Sequence, residues 1–132
     1  MENDKITIYN SGDIIMAYYG DMDNKEKLGI FCVLYDEFID KESNCNLNLT
    51  ALKITTKSHE DYNYYVEIAQ GNGGLASDSR VCCSKTHTLH KKKVRVKIGS
   101  IHGELLKKVL LCYNKYNIII ICQYIEKMLY LF

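Results

Sequence analysis

Residues 64–100 read YYVEIAQGNGGLASDSRVCCSKTHTLHKKKVRVKIGS. Tyr64 to Ile68 is short and rich in β-forming side chains, which predicts a strand. Gln70 to Gly74 is too glycine-rich for either regular element and predicts a turn or a mobile loop. Its glycines match no phosphate-binding fingerprint, since neither Gly-Lys-Ser/Thr nor an ordered G-x-G-x-x-G follows a strand there. Arg80 to Leu89 and Val94 to Ile98 read as two further strands joined by a turn at Lys91, Lys92 and Lys93. From Ser100 the period changes: Ile101, Leu105, Val109, Cys112 and Tyr116 follow helical spacing, with Lys107, Lys108 and Lys115 among the outward positions and Ser100 as N-cap.

Upstream of this stretch, strands are expected at Lys5 to Tyr9, Asp13 to Tyr19, Ile30 to Tyr35 and Leu49 to Thr56, with a polar loop over Gly20 to Gly29. Ile30 to Tyr35 is a continuous apolar run of the fully buried kind. Leu49 to Thr56 alternates, setting Leu49, Ala51, Lys53 and Thr55 against Thr50, Leu52, Ile54 and Thr56. Seven short strands followed by a helix predict a mainly β fold, a small and strongly bent barrel or sandwich with a C-terminal helix packed on it. Beyond Asn117 the chain is apolar on more than one side, so this tail is expected to be buried against the domain or against a partner subunit.

With 132 residues, 47% of them hydrophobic and 25% charged, a single domain over 1–132 is expected and general disorder is excluded. The six cysteines include no C-x-x-C pair, which argues against a zinc site; no metal or cofactor is expected. Met1 to Lys5 runs directly into polar residues, so no signal peptide is expected, and the thiols are read as reduced in a cytoplasm. Ile118 to Phe132 is interrupted by Gln123, Glu126 and Lys127 and falls short of the roughly 18 to 20 residues that span a bilayer, so no membrane anchor is expected.

The formal net charge of +1 conceals an asymmetry: residues 1–67 carry thirteen acids against six lysines, and residues 68–132 carry three acids against eleven basic residues. Arg80, Lys85, Lys91, Lys92, Lys93, Arg95 and Lys97 fall within eighteen residues that contain no acid, with His87 and His90 among them. Such a block suits a polyanion, because phosphate contacts release condensed counterions. It equally suits an acidic protein partner, or an exposed hairpin whose lysines keep an edge from pairing.

Three stretches in order carry a resemblance. Gly12-Asp13-Ile14 is followed by Glu26, Gly29 and Val33-Leu34; Leu52-Lys53-Ile54-Thr55-Thr56 forms an apolar strand ending in Ile-Thr; and Val66-Glu67-Ile68 leads through Gly74-Leu75, Asp78-Ser79 and Val81 to Thr88-Leu89, Lys91 and Ile98-Gly99. Together, over about residues 11–116, they resemble the MazF and PemK toxins, ribosome-independent mRNA endoribonucleases of toxin-antitoxin systems on an SH3-like barrel. Residues 117–132 lie outside the resemblance as an apolar extension.

The resemblance implies a homodimer, single-stranded RNA as substrate along the subunit interface, and an antitoxin protein able to occupy that groove. The family's catalytic Thr falls on Thr55, but its Arg falls on Phe31 and the following Pro on Cys32. Two further polar positions fall on Lys27 and on Lys85 with His87. Cleavage by the RNA 2′-hydroxyl needs a base, a cation at the phosphate and an acid for the leaving oxygen. The residues expected to act are Thr55, His87 and Lys53, with Lys27, Thr56, Lys85, Lys91, Lys92 and Lys93 binding substrate; His87 titrates nearest neutrality.

Plainer roles stand beside these: His87 as an exposed strand histidine, Thr55 as a β-branched strand former, and the paired tyrosines as core or rim instead of base-stacking groups. Lys53, inside an apolar strand, requires either a cleft or a carboxylate to receive it. The alternative function is a catalytically degenerate barrel that binds RNA or protein, motivated by an apolar wall at Phe31 and Cys32. The fold-sharing gyrase poison CcdB is a weaker match, since its family holds its target with a C-terminal Trp-Gly-Ile and this chain has no tryptophan.

Overall fold

The computed structural model describes residues 7–20, 26–36, 47–56 and 64–130. Among these residues six strands, β1 (Asp13–Gly20), β2 (Glu26–Asp36), β3 (Asn48–Thr55), β4 (Tyr65–Ile68), β5 (Ser79–His90) and β6 (Val94–Ser100), precede one α-helix, α1 (Gly103–Leu129). They form one antiparallel sheet in the order β4-β5-β3-β2-β1-β6. This is the mainly β fold with a C-terminal helix that the sequence predicts.

Both faces of the central strands are buried, as the uninterrupted apolar run in β2 requires. Cys32, Leu34, Leu52, Ile54, Val81 and Cys83 belong to one core cluster, which α1 covers through Val109 with Leu105, Leu106, Cys112 and Tyr113. Phe31, Val33, Leu49, Ala51 and Leu89 belong to the second, on the opposite face. The split between Leu49/Ala51 and Leu52/Ile54 follows the alternation of β3.

The glycine-rich turn after β4 folds back over β6 and brings the two ends of the sheet order together. A Cβ on Gly74 (φ 79°) would lie 2.5 Å from the Ile98 carbonyl oxygen, and one on Gly99 would lie 2.5 Å from that of Gly73. Only glycine allows this approach, so the segment is a fixed 3₁₀ turn.

Four expectations are corrected. Thr7 to Tyr9 is not a strand, and Lys5 and Ile6 lie outside the described residues. Here side chains satisfy the backbone: the Tyr9 N–H donates to Asp36 and the Thr7 carbonyl accepts from Lys91. The expected loop over Gly20 to Gly29 is shorter, because Tyr19↔Lys27 and Gly20↔Glu26 extend the β1–β2 ladder. Ser100 does not cap α1; its hydroxyl donates to Asp13 at 2.8 Å, and His102 takes the N-cap position without a side-chain cap bond. Finally, the tail is not buried against the domain. It continues α1, with Ile118, Ile121 and Leu129 exposed by 55%, 56% and 69%. No helix among the described residues is long and apolar enough to cross a membrane.

Candidate functional site

Strand β3 sets three rows of side chains on the face of the second core cluster. Ala51 lies opposite His87, Lys53 opposite Phe31, and Thr55 opposite Arg80. Directly opposed residues share a face, so His87, Lys53, Thr55 and Arg80 lie along one stretch of sheet. Between Leu52↔Thr86 and Ile54↔Val81 the register slips, leaving extra residues of β5 in a bulge opposite Lys53. That bulge carries Cys82 and Lys85.

Lys53 is received by an aromatic cleft. Its ammonium sits 5.3 Å from the Tyr19 ring centroid and 5.4 Å from that of Phe31, and donates to the Ile54 carbonyl at 3.3 Å. The His87 imidazole meets Tyr19 edge-on at 5.6 Å and Phe31 at 5.2 Å between centroids. Gly29 makes room for the group: a Cβ there would lie 2.7 Å from the Tyr19 ring and 3.1 Å from Lys53 Nζ. Phe31 is fully buried. It is the floor beneath Lys53 and His87, not an exposed apolar wall, and Cys32 points into the opposite core because β2 alternates.

The electrostatics of this group favour neutral forms. Burial, reinforced by the charges of Lys53 and Lys85, holds His87 below the 6.5 of a solvated imidazole. Burial likewise lowers Lys53 from 10.5. At Cys82 burial raises the thiol above its ordinary value, opposed by the positive charges of Lys85, Lys53 and Arg80. Lys53 and Lys85 thus act on His87, and together with Arg80 on Cys82, across a small area.

Other predicted residues separate by environment. Thr55 ends β3, and Thr56 lines a cleft of about 390 Å³ with Arg80, Asp78 and Ser79. Lys27 lies in β2, exposed, opposite Tyr19. His87 and Tyr19 border a second cleft of about 370 Å³ that also reaches Lys93. Lys91 turns inward to an ion pair with Asp36 at 2.7 Å, whereas Lys92 is exposed and Lys93 pairs with Glu26 at 2.8 Å. Arg80, which the sequence places in the basic block and at the start of a strand, is the second residue of β5 and faces Thr55, a cross-strand pairing that no local pattern expresses. Among the described residues no His, Cys, Asp or Glu cluster is arranged to hold a metal.

A six-stranded antiparallel sheet with a glycine turn folded over its last strand, covered by α1 and carrying a cationic and aromatic cluster, defines a small mainly β protein with a cationic site. The chain belongs to the PemK-like, MazF-like toxins of type II toxin-antitoxin systems, whose sequence profile matches residues 10–123. Among solved structures it is similar to an endoribonuclease from Mycobacterial species, at 12% identity and a TM-score of 0.60 over 83% of this chain and 91% of that one. It is also similar to Mycobacterium tuberculosis toxin MazF-mt6, at 19% identity and a TM-score of 0.57, covering 78% of this chain and 93% of that one. A third similar structure is an endoribonuclease in complex with its cognate antitoxin from Mycobacterial species, at 12% identity and a TM-score of 0.57 over 79% and 89% of the two chains. No curated protein matches the chain.

Proposed function

We propose that this toxin is a metal-independent endoribonuclease that cleaves single-stranded mRNA. The observation that carries it is the pairing of a depressed imidazole, His87, with a half-buried ammonium, Lys53, beside the hydroxyl of Thr55. A scissile phosphate placed over Lys53 has His87 on one side and Thr55 on the other. Neutral His87 takes the proton of the 2′-hydroxyl, and the 2′-oxygen forms its bond to phosphorus. Thr55 and Lys53 hold the phosphoryl oxygens as charge grows on them. The bond to the 5′-oxygen breaks, and that oxygen takes a proton from Lys53, whose lowered affinity for it suits a donor. Water then carries the proton from His87 to Lys53, which restores both groups to their starting states. The products are a 2′,3′-cyclic phosphate and a 5′-hydroxyl.

Lys27, Thr56, Lys85 and Lys93 border this stretch and, with the exposed Lys92 of the following turn, supply the binding surface, whereas Lys91 serves the fold. The test is incubation of long unstructured RNA with the protein in excess EDTA, with Thr55→Ala and His87→Ala alongside and product ends identified. Cuts at a recurring sequence, lost in both variants, are expected. Intact RNA at high protein overturns the assignment and leaves a non-catalytic binding barrel, the role that Phe31 at the family's Arg position favours.

The partners follow the family: a homodimer, and an antitoxin segment in the substrate groove, as one of the similar mycobacterial structures is a complex with its cognate antitoxin. A second copy is favoured by α1, where Ile118, Ile121, Ile125 and Met128 are exposed at alternating three- and four-residue spacing, with Leu111 seven residues before them, the seam of a paired helix. A cytoplasmic location agrees with the free thiols of Cys32, Cys82, Cys83, Cys112 and Cys122.

A further inference from the structure

The cleavage chemistry places negative charge on two phosphoryl oxygens at once, and Lys53 is a poor sole counter-charge because burial already disfavours its ammonium. A second cation lies across the sheet. We propose that Arg80 is the phosphate-binding arginine of this chain, reaching from β5 to the phosphate that Thr55 contacts. This assignment rests on the ribonuclease reading above and deepens it.

Arg80 and Thr55 are direct cross-strand partners, which sets their Cβ atoms about 5 Å apart on one face. The guanidinium lies over the Tyr65 ring, with Cζ 4.5 Å from the centroid. A cation–π contact at Cζ uses none of the guanidinium N–H donors, which stay available to oxygen acceptors in the fork that matches a phosphate. The contact to Glu67 is long, 3.4 Å from Nη2, and the Glu67 side chain is 68% exposed, so a ligand oxygen can replace it.

The cleft beside Arg80, about 390 Å³, is also lined by Thr56, Asp78 and Ser79. Its acids are of two kinds. Asp78 accepts the Gln70 N–H at 2.7 Å and is committed to the turn, whereas Glu67 faces the guanidinium and competes with a phosphate for it. Arg80 therefore binds RNA phosphate against a resident carboxylate, and removing that charge favours the RNA.

Two measurements on the full chain test this. The first is kcat/KM on cleavable RNA for wild type, Arg80→Lys, Arg80→Ala and Glu67→Gln. The second is the salt dependence of binding to the same RNA carrying 2′-deoxyribose at the scissile position, which cannot be cleaved. Arg80→Ala is expected to lower kcat/KM by about 100-fold or more, with Arg80→Lys between it and wild type. It is also expected to reduce the slope of log affinity against log salt by about one. Glu67→Gln is expected to bind the deoxy-substituted strand more tightly. Urea unfolding verifies that each variant is folded, and Arg80→Lys provides the comparison should Arg80→Ala not fold.

Arginine variants within twofold of wild type in kcat/KM and with an unchanged salt slope overturn the assignment while cleavage itself stands. If wild type cleaves nothing but the slope still falls in the arginine variant, Arg80 is a phosphate ligand and the ribonuclease reading alone fails. If wild type neither cleaves nor binds the strand, both fail.

Discussion

Lys91 and Lys92 are adjacent, identical in chemistry and opposite in role, and replacing each by alanine separates them. The Lys91 ammonium lies 2.7 Å from Asp36 Oδ2 with side-chain exposures of 8% and 6%, and it donates to the Thr7 carbonyl at 2.7 Å. Its backbone N–H donates to Leu47 at 2.7 Å, and Asp36 also accepts the Tyr9 N–H at 2.9 Å. Lys91→Ala thus leaves a carboxylate almost wholly enclosed without its ammonium, and it releases the Thr7–Tyr9 segment. Breaking one side of a buried pair costs about 3–5 kcal/mol, a large part of the roughly 5–15 kcal/mol that holds a domain folded. At ~4 °C per kcal/mol for a chain of this size, the midpoint falls by roughly 10–20 °C. Lys92→Ala is expected to change stability by less than about 0.5 kcal/mol. The assay is urea unfolding of wild type and both variants, with RNA affinity measured across salt on the same samples. Lys92→Ala should lower the salt slope with stability retained, whereas Lys91→Ala at low temperature should retain the slope. Equal urea midpoints for the two variants would refute the assignment of Lys91 to the fold.

Restoring the family arginine by Phe31→Arg is expected to destabilise the protein by several kcal/mol without raising cleavage, because the new charge is buried beside Lys53; a stable, faster variant counts against Phe31 as the floor. The depressed His87 sets a pH dependence: below about 6.5 the unfolded chain binds a proton that the folded chain refuses, so stability declines as pH falls from there to the folded value. Urea midpoints between pH 7.5 and 5 should show this fall in wild type and lose that component in His87→Asn, and cleavage should weaken over the same range as the base is protonated. Deleting residues 118–132 is expected to give monomeric or insoluble protein, read by sedimentation; an unchanged soluble dimer would remove the helix seam from the interface.

Local pattern was sufficient for much of the fold. Alternation in β3 separates Leu49 and Ala51 from Leu52 and Ile54, the unbroken run in β2 marks a strand covered on both faces, and the change of period after Ser100 marks the helix. These properties follow from the geometry of a single element, so a window of a few residues contains them. Thr55, Lys53 and His87 were also legible as site candidates, from residue chemistry and from the order of the family's motifs.

Tertiary structure decided which side chains meet. Lys91, Lys92 and Lys93 are one repeated letter, yet Asp36 draws the first inward, solvent keeps the second, and Glu26 pairs with the third. The slip in register between β3 and β5 opens a bulge opposite Lys53 and sets Arg80 against Thr55, neither of which periodicity expresses. Phe31 and Cys32 reads as one apolar wall, and becomes a floor on one face and a core residue on the other. The physical reason is range: backbone preference and face are local, whereas an ion pair, a stacked ring or a depressed imidazole depends on strands far apart in the chain arriving at a common register.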